Sequence, residues 1–170
     1  VREGGRLVIA PCADPSASTL SGRWSRASIE QTLEAFGLKV VRSGRHDAPA
    51  RPLDDLSITA DVSSVVVPTG GRLRQVNETD DGDMGGAQVL LVDDENEIAA
   101  LEVSYGEGTV LALAGAEILA NATLRRADNV VFAANLVFSD GPPARVHFDE
   151  YHHGFGVEYD GVFVGPEVDV

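Results

Sequence analysis

Short runs in which almost every residue is apolar punctuate this chain: Arg6 to Ala10 (RLVIA), Ala87 to Val92 (AQVLLV) and Thr109 to Ala114 (TVLALA). A strand with one wet face alternates apolar and polar residues, whereas an unbroken run marks a strand covered on both faces. Each run is too short for a helix and is bounded by Gly, Pro or acidic turn residues. The run at Arg6 is therefore expected to be buried on both faces of a sheet. Strands of this kind are commonest in parallel sheets under helices, so the run at Arg6 reads as a central strand. A domain that starts on such a strand leads one to expect further elements upstream.

The covering helices follow from a 3.6-residue spacing. Ile29, Leu33 and Phe36 share one face after a capping box of Ser28 and Gln31, and Gly37 stands where a left-handed stop is expected. A second helix is expected from about Asp128 to Ser139. It is apolar almost all round, as a sandwiched helix would be, and Gly141-Pro142-Pro143 ends it. Between the helices, Leu38 to Val41 and Val62 to Val67 read as strands, residues 43–57 as surface loop and residues 77–86 (NETDDGDMGG) as a polar loop. A β-meander is expected over 87–114, with turns at Asp93-Asp94-Glu95-Asn96 and Tyr105-Gly106-Glu107-Gly108. A short helical piece over 116–120 and a strand from Arg145 to Phe148 complete the reading. The expected class is α/β, with one domain over 1–154 and a loosely ordered tail over 155–170.

Composition narrows the function. The 170 residues include 13 Lys and Arg against 27 Asp and Glu, a formal charge of −14. Such a surface repels phosphate backbones, so a nucleic-acid partner is not expected. The single cysteine, Cys12, excludes an internal disulfide and cysteine-rich zinc sites. No run of about 18 apolar residues is present, so this stretch is not expected to span a bilayer by a helix.

The densest polar motif is Phe148-Asp149-Glu150-Tyr151-His152-His153-Gly154. Two carboxylates and two imidazoles within five positions after a strand could bind a divalent metal or act as an acid/base pair. The spacing is not His-Glu-x-x-His, and adjacent histidines point apart, so no closed ligand set is expected and no metal or cofactor is assigned. The competing reading has these groups bonding local amides and packing. Cys12 lacks the flanking glycines of a nucleophile elbow and reads as an inert thiol. Gly106-Glu107-Gly108 leads into a strand and reads as a turn. Asp80, Asp81 and Asp83 miss the spacing of an EF-hand loop. Asn77 and Asn121 begin glycosylation-like triplets. Asp128 is most simply a helix N-cap.

Several of these segments together resemble a known family. Val1-Arg2-Glu3-Gly4-Gly5-Arg6-Leu7-Val8, then Gly106-Glu107-Gly108-Thr109-Val110, Leu119-Ala120-Asn121, Ala127-Asp128-Asn129 and the run Phe148 to Gly154 are similar, in order, to segments of membrane-anchored prokaryotic proteins with the domain of unknown function 4350. The matches span most of residues 1–154. The resemblance implies a fold like the class I glutamine amidotransferases, of the flavodoxin/Rossmann type, with a mostly parallel sheet flanked by helices, as in gliding-motility and intraflagellar-transport relatives. It also implies an extracytoplasmic setting, anchoring by membrane segments outside this stretch, and work beside a MoxR-type ATPase system. The amidotransferase Gly-x-Cys-x-Gly elbow is missing, so that activity is not carried over. The expected function is a non-catalytic binding or assembly module with a protein partner, open to self-association, with Asp149, Glu150, His152, His153, Asn121, Asp128 and Asn129 as candidate binding residues. The alternative is a metal-dependent hydrolase using Asp149, Glu150, His152 and His153.

Overall fold

The computed structural model describes residues 4–11, 26–42, 47–68, 70–76, 86–141, 146–147, 157–159, 162–164 and 167–168. The first three strands are β1 (Arg6–Ile9), β2 (Leu38–Arg42) and β3 (Ala48–Pro52), with helix α1 (Arg26–Ala35) between β1 and β2. Strands β4 (Val65–Val67), β5 (Gly71–Gln75), β6 (Ala87–Asp93), β7 (Ile98–Tyr105) and β8 (Gly108–Leu113) follow. A one-turn helix α2 (Asn121–Leu124) precedes α3 (Asn129–Phe138). Beyond them, β9 (Val146–His147) pairs with β12 (Glu167–Val168), and β10 (Val157–Tyr159) pairs with β11 (Val162–Val164).

Eight strands form one mixed, curled sheet, a half-barrel, in the order β1-β8-β7-β6-β3-β4, with β5 beside the start of β7 and β2 beyond β5. The pairing of β1 with β8 is parallel and the others in this sheet are antiparallel. This overturns the expected mostly parallel, helix-flanked sheet of amidotransferase type. The apolar runs marked strands but carried no information on strand direction. The turns at 94–97 and 106–107 are too short for a crossover, so they force β6, β7 and β8 antiparallel. The meander is present as those three strands, and irregular register near Leu91 bends β6.

Two apolar clusters cover the faces of the sheet. One holds Ile58, Val65, Val67, Leu90, Leu91, Leu111, Leu113, Ile118, Phe132 and Leu136 under α3. The other holds Ile9, Leu33, Leu38, Leu73, Leu101, Val110 and Ala112 under α1 and the β2–β5 ribbon. Successive residues of β8 enter opposite clusters, Val110 in one and Leu111 in the other. That alternation is why its run must be wholly apolar.

Several local expectations change. Among the described residues β1 has β8 as its one neighbour, and Leu7 is 36% and Val8 37% exposed. Helix α1 begins at Arg26, before the expected cap at Ser28, and Gly37 ends it with φ +73°. The segment read as loop over 43–57 contains β3, whose Pro49 and Pro52 argued against a strand. Pro49 pairs only with Val66 of β4 and Pro52 only with Leu91 of β6. Each proline thus has a neighbour on one side alone, so the missing N–H breaks no ladder on the other. The strand expected over 62–67 narrows to β4, and β5 had no counterpart in the sequence reading. At Gly71, where β5 begins, an added Cβ would overlap the carbonyl oxygen of Ala114, so only glycine fits. Helix α3 is less enclosed than expected: Val130 is 56% and Phe138 48% exposed.

Candidate functional site

The expected binding residues Asp128 and Asn129 stand at the start of α3, against the outer edge of β4. The approach is tight, with Ala127 at φ +43°. Asp128 occupies the N-cap position, yet its carboxylate does not cap its own helix. Instead Oδ2 accepts the amides of Ser63 at 2.8 Å and Ser64 at 3.1 Å, while the Asp128 amide donates to the Ser64 carbonyl at 2.9 Å. The side chain of Asn129 is fully buried and acts as a peptide group. Its Oδ1 accepts from the Val66 amide at 2.8 Å, and its Nδ2 donates to the carbonyls of Val66 at 3.0 Å and Ile118 at 3.1 Å. Further along α3, Asn135 donates to the Ala60 carbonyl at 2.8 Å. The polar groups of this helix face hold the backbone of residues 60–66 in place. Asn121, the third expected residue in the region, is exposed at the start of α2.

Beside this junction is an open depression of about 480 Å³ lined by Pro52, Leu53, Asp54, Asp55, Thr59, Asp61, Val62 and Ser63. Thr59 closes its floor, donating to the Asp54 carbonyl at 2.9 Å and accepting from the Leu56 amide at 3.1 Å. Asp61 takes φ +58° at its rim. Among the described residues, no group of three or more His, Cys, Asp and Glu is arranged to hold a metal ion.

A second polar centre escaped the sequence reading. Arg72 of β5 and Asp93 at the end of β6 form an ion pair whose side chains are 2% and 1% exposed. Nε donates to Asp93 Oδ2 at 2.9 Å, and Nη1 donates to the Gly71 carbonyl at 2.6 Å. Nη2 lies 2.7 Å from the same carboxylate oxygen but outside hydrogen-bond alignment, so that contact is ionic. The other oxygen, Oδ1, accepts the amides of Glu95 and Glu97, both at 2.9 Å, and so shapes the β6–β7 turn. Burial alone would raise the Asp93 pKa. The Glu97 amide, the Arg72 side chain and the Glu95 amide outweigh it and hold the value below the ordinary 3.8. The sequence signal for Asp93 was its place at the end of an apolar strand before a polar turn, where an Asp side chain commonly folds back on the chain. Arg72 gave no such signal, since an arginine in a short strand reads as solvated.

Asp149, Glu150, His152 and His153 lie outside the described residues, as do Cys12, Asn77, Asp80, Asp81, Asp83 and Phe148. The structure therefore brings Asp128 and Asn129 together and leaves the closing motif unplaced.

Comparison with known proteins bears on the same span. Residues 1–137 match the family model described as domain of unknown function (DUF4350). The chain belongs to the DUF4350 family. The DUF4350 match covers the whole eight-stranded sheet and nearly all of α3, and it stops before the 148–154 motif. Among curated proteins nothing matches. Among solved structures, the "mmIFT52 N-terminal domain" aligns at 17% identity with a TM-score of 0.47, over 79% of this chain and 66% of that one. No helix among the described residues is long and apolar enough to cross a membrane.

Proposed function

We propose that this DUF4350 domain is a non-catalytic binding or assembly module, held on the outer face of a membrane by segments outside this stretch and serving a protein partner. The observation that supports it is the fate of the polar groups of Asp128, Asn129 and Asn135. Each is spent on backbone amides or carbonyls, and the result is a rigid edge with apolar side chains left outside. A reaction centre needs polar groups aimed at a substrate, whereas a platform needs a stiff frame with contact residues on it. Work with a MoxR-type ATPase system remains part of this proposal through the family resemblance alone.

Site-specific photo-cross-linking in the native host tests the reading. A cross-linker replacing Val130 or Leu53, both exposed apolar residues, is expected to give one discrete protein adduct, and one replacing the exposed turn residue Asp94 is expected to give none. Equal adducts at all three positions would overturn the proposal. So would turnover of a chromogenic ester or phosphate by purified protein that Asp149→Ala and His153→Ala abolish.

A further inference from the structure

Helix α2 is built almost wholly from Asn121-Ala122-Thr123, an asparagine followed by a residue other than proline and then by a threonine. That order is the acceptor pattern for N-linked glycans, and a pattern so short recurs by chance, so the fold must decide whether it has a use. The other such triplet, Asn77-Glu78-Thr79, lies outside the described residues.

The other described asparagines differ from Asn121. Asn129 and Asn135 each donate Nδ2 to backbone carbonyls, and the residues two positions on are Val131 and Val137. Asn96 is exposed in the β6–β7 turn at φ +61°, and Ile98 follows it at the same spacing. Among the described asparagines, Asn121 alone joins exposure to a hydroxyl two residues later. Ala120 and Ala122 beside it are exposed as well, whereas Thr123 is 5% exposed. The turn thus holds its asparagine outside the domain and its threonine inside, and a bulky group on Asn121 would stand in solvent.

The buried threonine dictates when such a group could be added. A transferase recognises the triplet through that hydroxyl, so the triplet must be free of the core at that moment. The amides of Thr123 and Leu124 both donate to the Ala120 carbonyl, at 2.8 and 2.9 Å, and close a single turn. One turn is not stable without the packing around it, so before the domain closes the triplet is available as open chain. Folding then withdraws Thr123 and leaves Asn121 outside.

We propose that Asn121 carries an N-linked glycan, received before the domain folds from a sugar donor linked to a lipid phosphate. In the transfer, Asn121 Nδ2 bonds to the anomeric carbon of the donor sugar, and the bond from that carbon to the phosphate oxygen breaks. The lipid phosphate leaves with the electron pair, one amide proton passes to a base of the transferase, and nothing is oxidised or reduced. The inference rests on the reading of the domain as lying on the outer face of a membrane, where such a glycan is displayed.

Mass spectrometry of the protein from its native host tests the proposal. Cleavage after glutamate separates the two triplets, because Glu117 lies between Asn77 and Asn121. The peptide that begins at Ile118 is expected to carry the added mass of a sugar chain. Asn121→Gln, at an exposed position, and Thr123→Val, which keeps the side-chain shape without the hydroxyl, are each expected to abolish it. Thr123→Ser is expected to retain it, and with Asn121→Gln it serves if Thr123→Val does not fold. A bare Asn121 in the parent protein overturns the proposal, as does added mass that survives Thr123→Val or resides on Asn77 alone. Protease added to intact cells judges the setting separately. Digestion of the domain together with a bare Asn121 overturns the glycan and leaves the outer-face reading standing, whereas a domain protected until lysis overturns both.

Discussion

Two of the outer strands of the eight-stranded sheet, β4 and β1, differ in how their outward backbone groups are met. At β4, outward backbone groups are consumed within the chain: Asn129 pairs with both the N–H and C=O of Val66, and Asp128 takes the amide of Ser64. At β1, the outward groups of Arg6 and Val8 have no strand beside them among the described residues. A primary amide carries the same donor and acceptor as a peptide, so one asparagine can replace the strand that an edge lacks. The bonds to Asn129 also show that Val66 faces away from β3. Pro49, its partner across the ladder, therefore forfeits no hydrogen bond with β4. The β4 edge is closed from within the chain, whereas among the described residues nothing is paired with the outer side of β1.

The interior sets the scale against which the edges are judged. Asp93→Ala strands the buried Arg72 and two turn amides, and urea unfolding is expected to show a loss of about 3–5 kcal/mol. The pH dependence has a definite sign. The folded pKa of Asp93 lies below 3.8, so its stabilisation is complete above that value and is lost as pH falls through the folded value. Acid titration of the parent is expected to show this loss below pH 3.8, and Asp93→Asn is expected to lack that component. An unchanged acid limb in Asp93→Asn would mean that the pair is not intact in solution.

At the closed edge, Asn129→Ala orphans the N–H and C=O of Val66, and a destabilisation of about 2–4 kcal/mol is expected by the same measurement. Asp128→Ala, at a half-buried carboxylate, is expected to cost about 1–2 kcal/mol. At β1, Val8→Lys is expected to change stability by less than about 0.5 kcal/mol. Hydrogen exchange sharpens the contrast: the Val66 amide is expected to be protected and the Val8 amide to exchange freely. If Val8→Lys cost as much as Asn129→Ala, the β1 edge would be covered in solution and the two edges would not differ.

Local elements were legible along the chain, but the arrangement of the sheet was not. The meander followed from apolar runs and two tight turns, α3 from its continuous apolar surface, and the stop at Gly37 from the one residue that takes φ +73° without strain. Asp128 and Asn129 stood out as polar residues opening an apolar helix, but their targets could not be read. Ser63, Ser64 and Val66 are more than sixty residues away. The same distance problem hid β3 and the Arg72–Asp93 pair: prolines speak against a strand until the one-sided pairing is known, and a lone arginine reads as solvated until its carboxylate is found.

The sequence by itself determined where short apolar strands form, where the chain turns back, and that the composition is acidic, because these depend on composition and on residues a few positions apart. Only the tertiary structure decided which way the strands run, which strands pair and how the β4 edge is closed. Those outcomes depend on backbone groups meeting partners distant in the chain, and every backbone carries the same N–H and C=O whatever its side chains are.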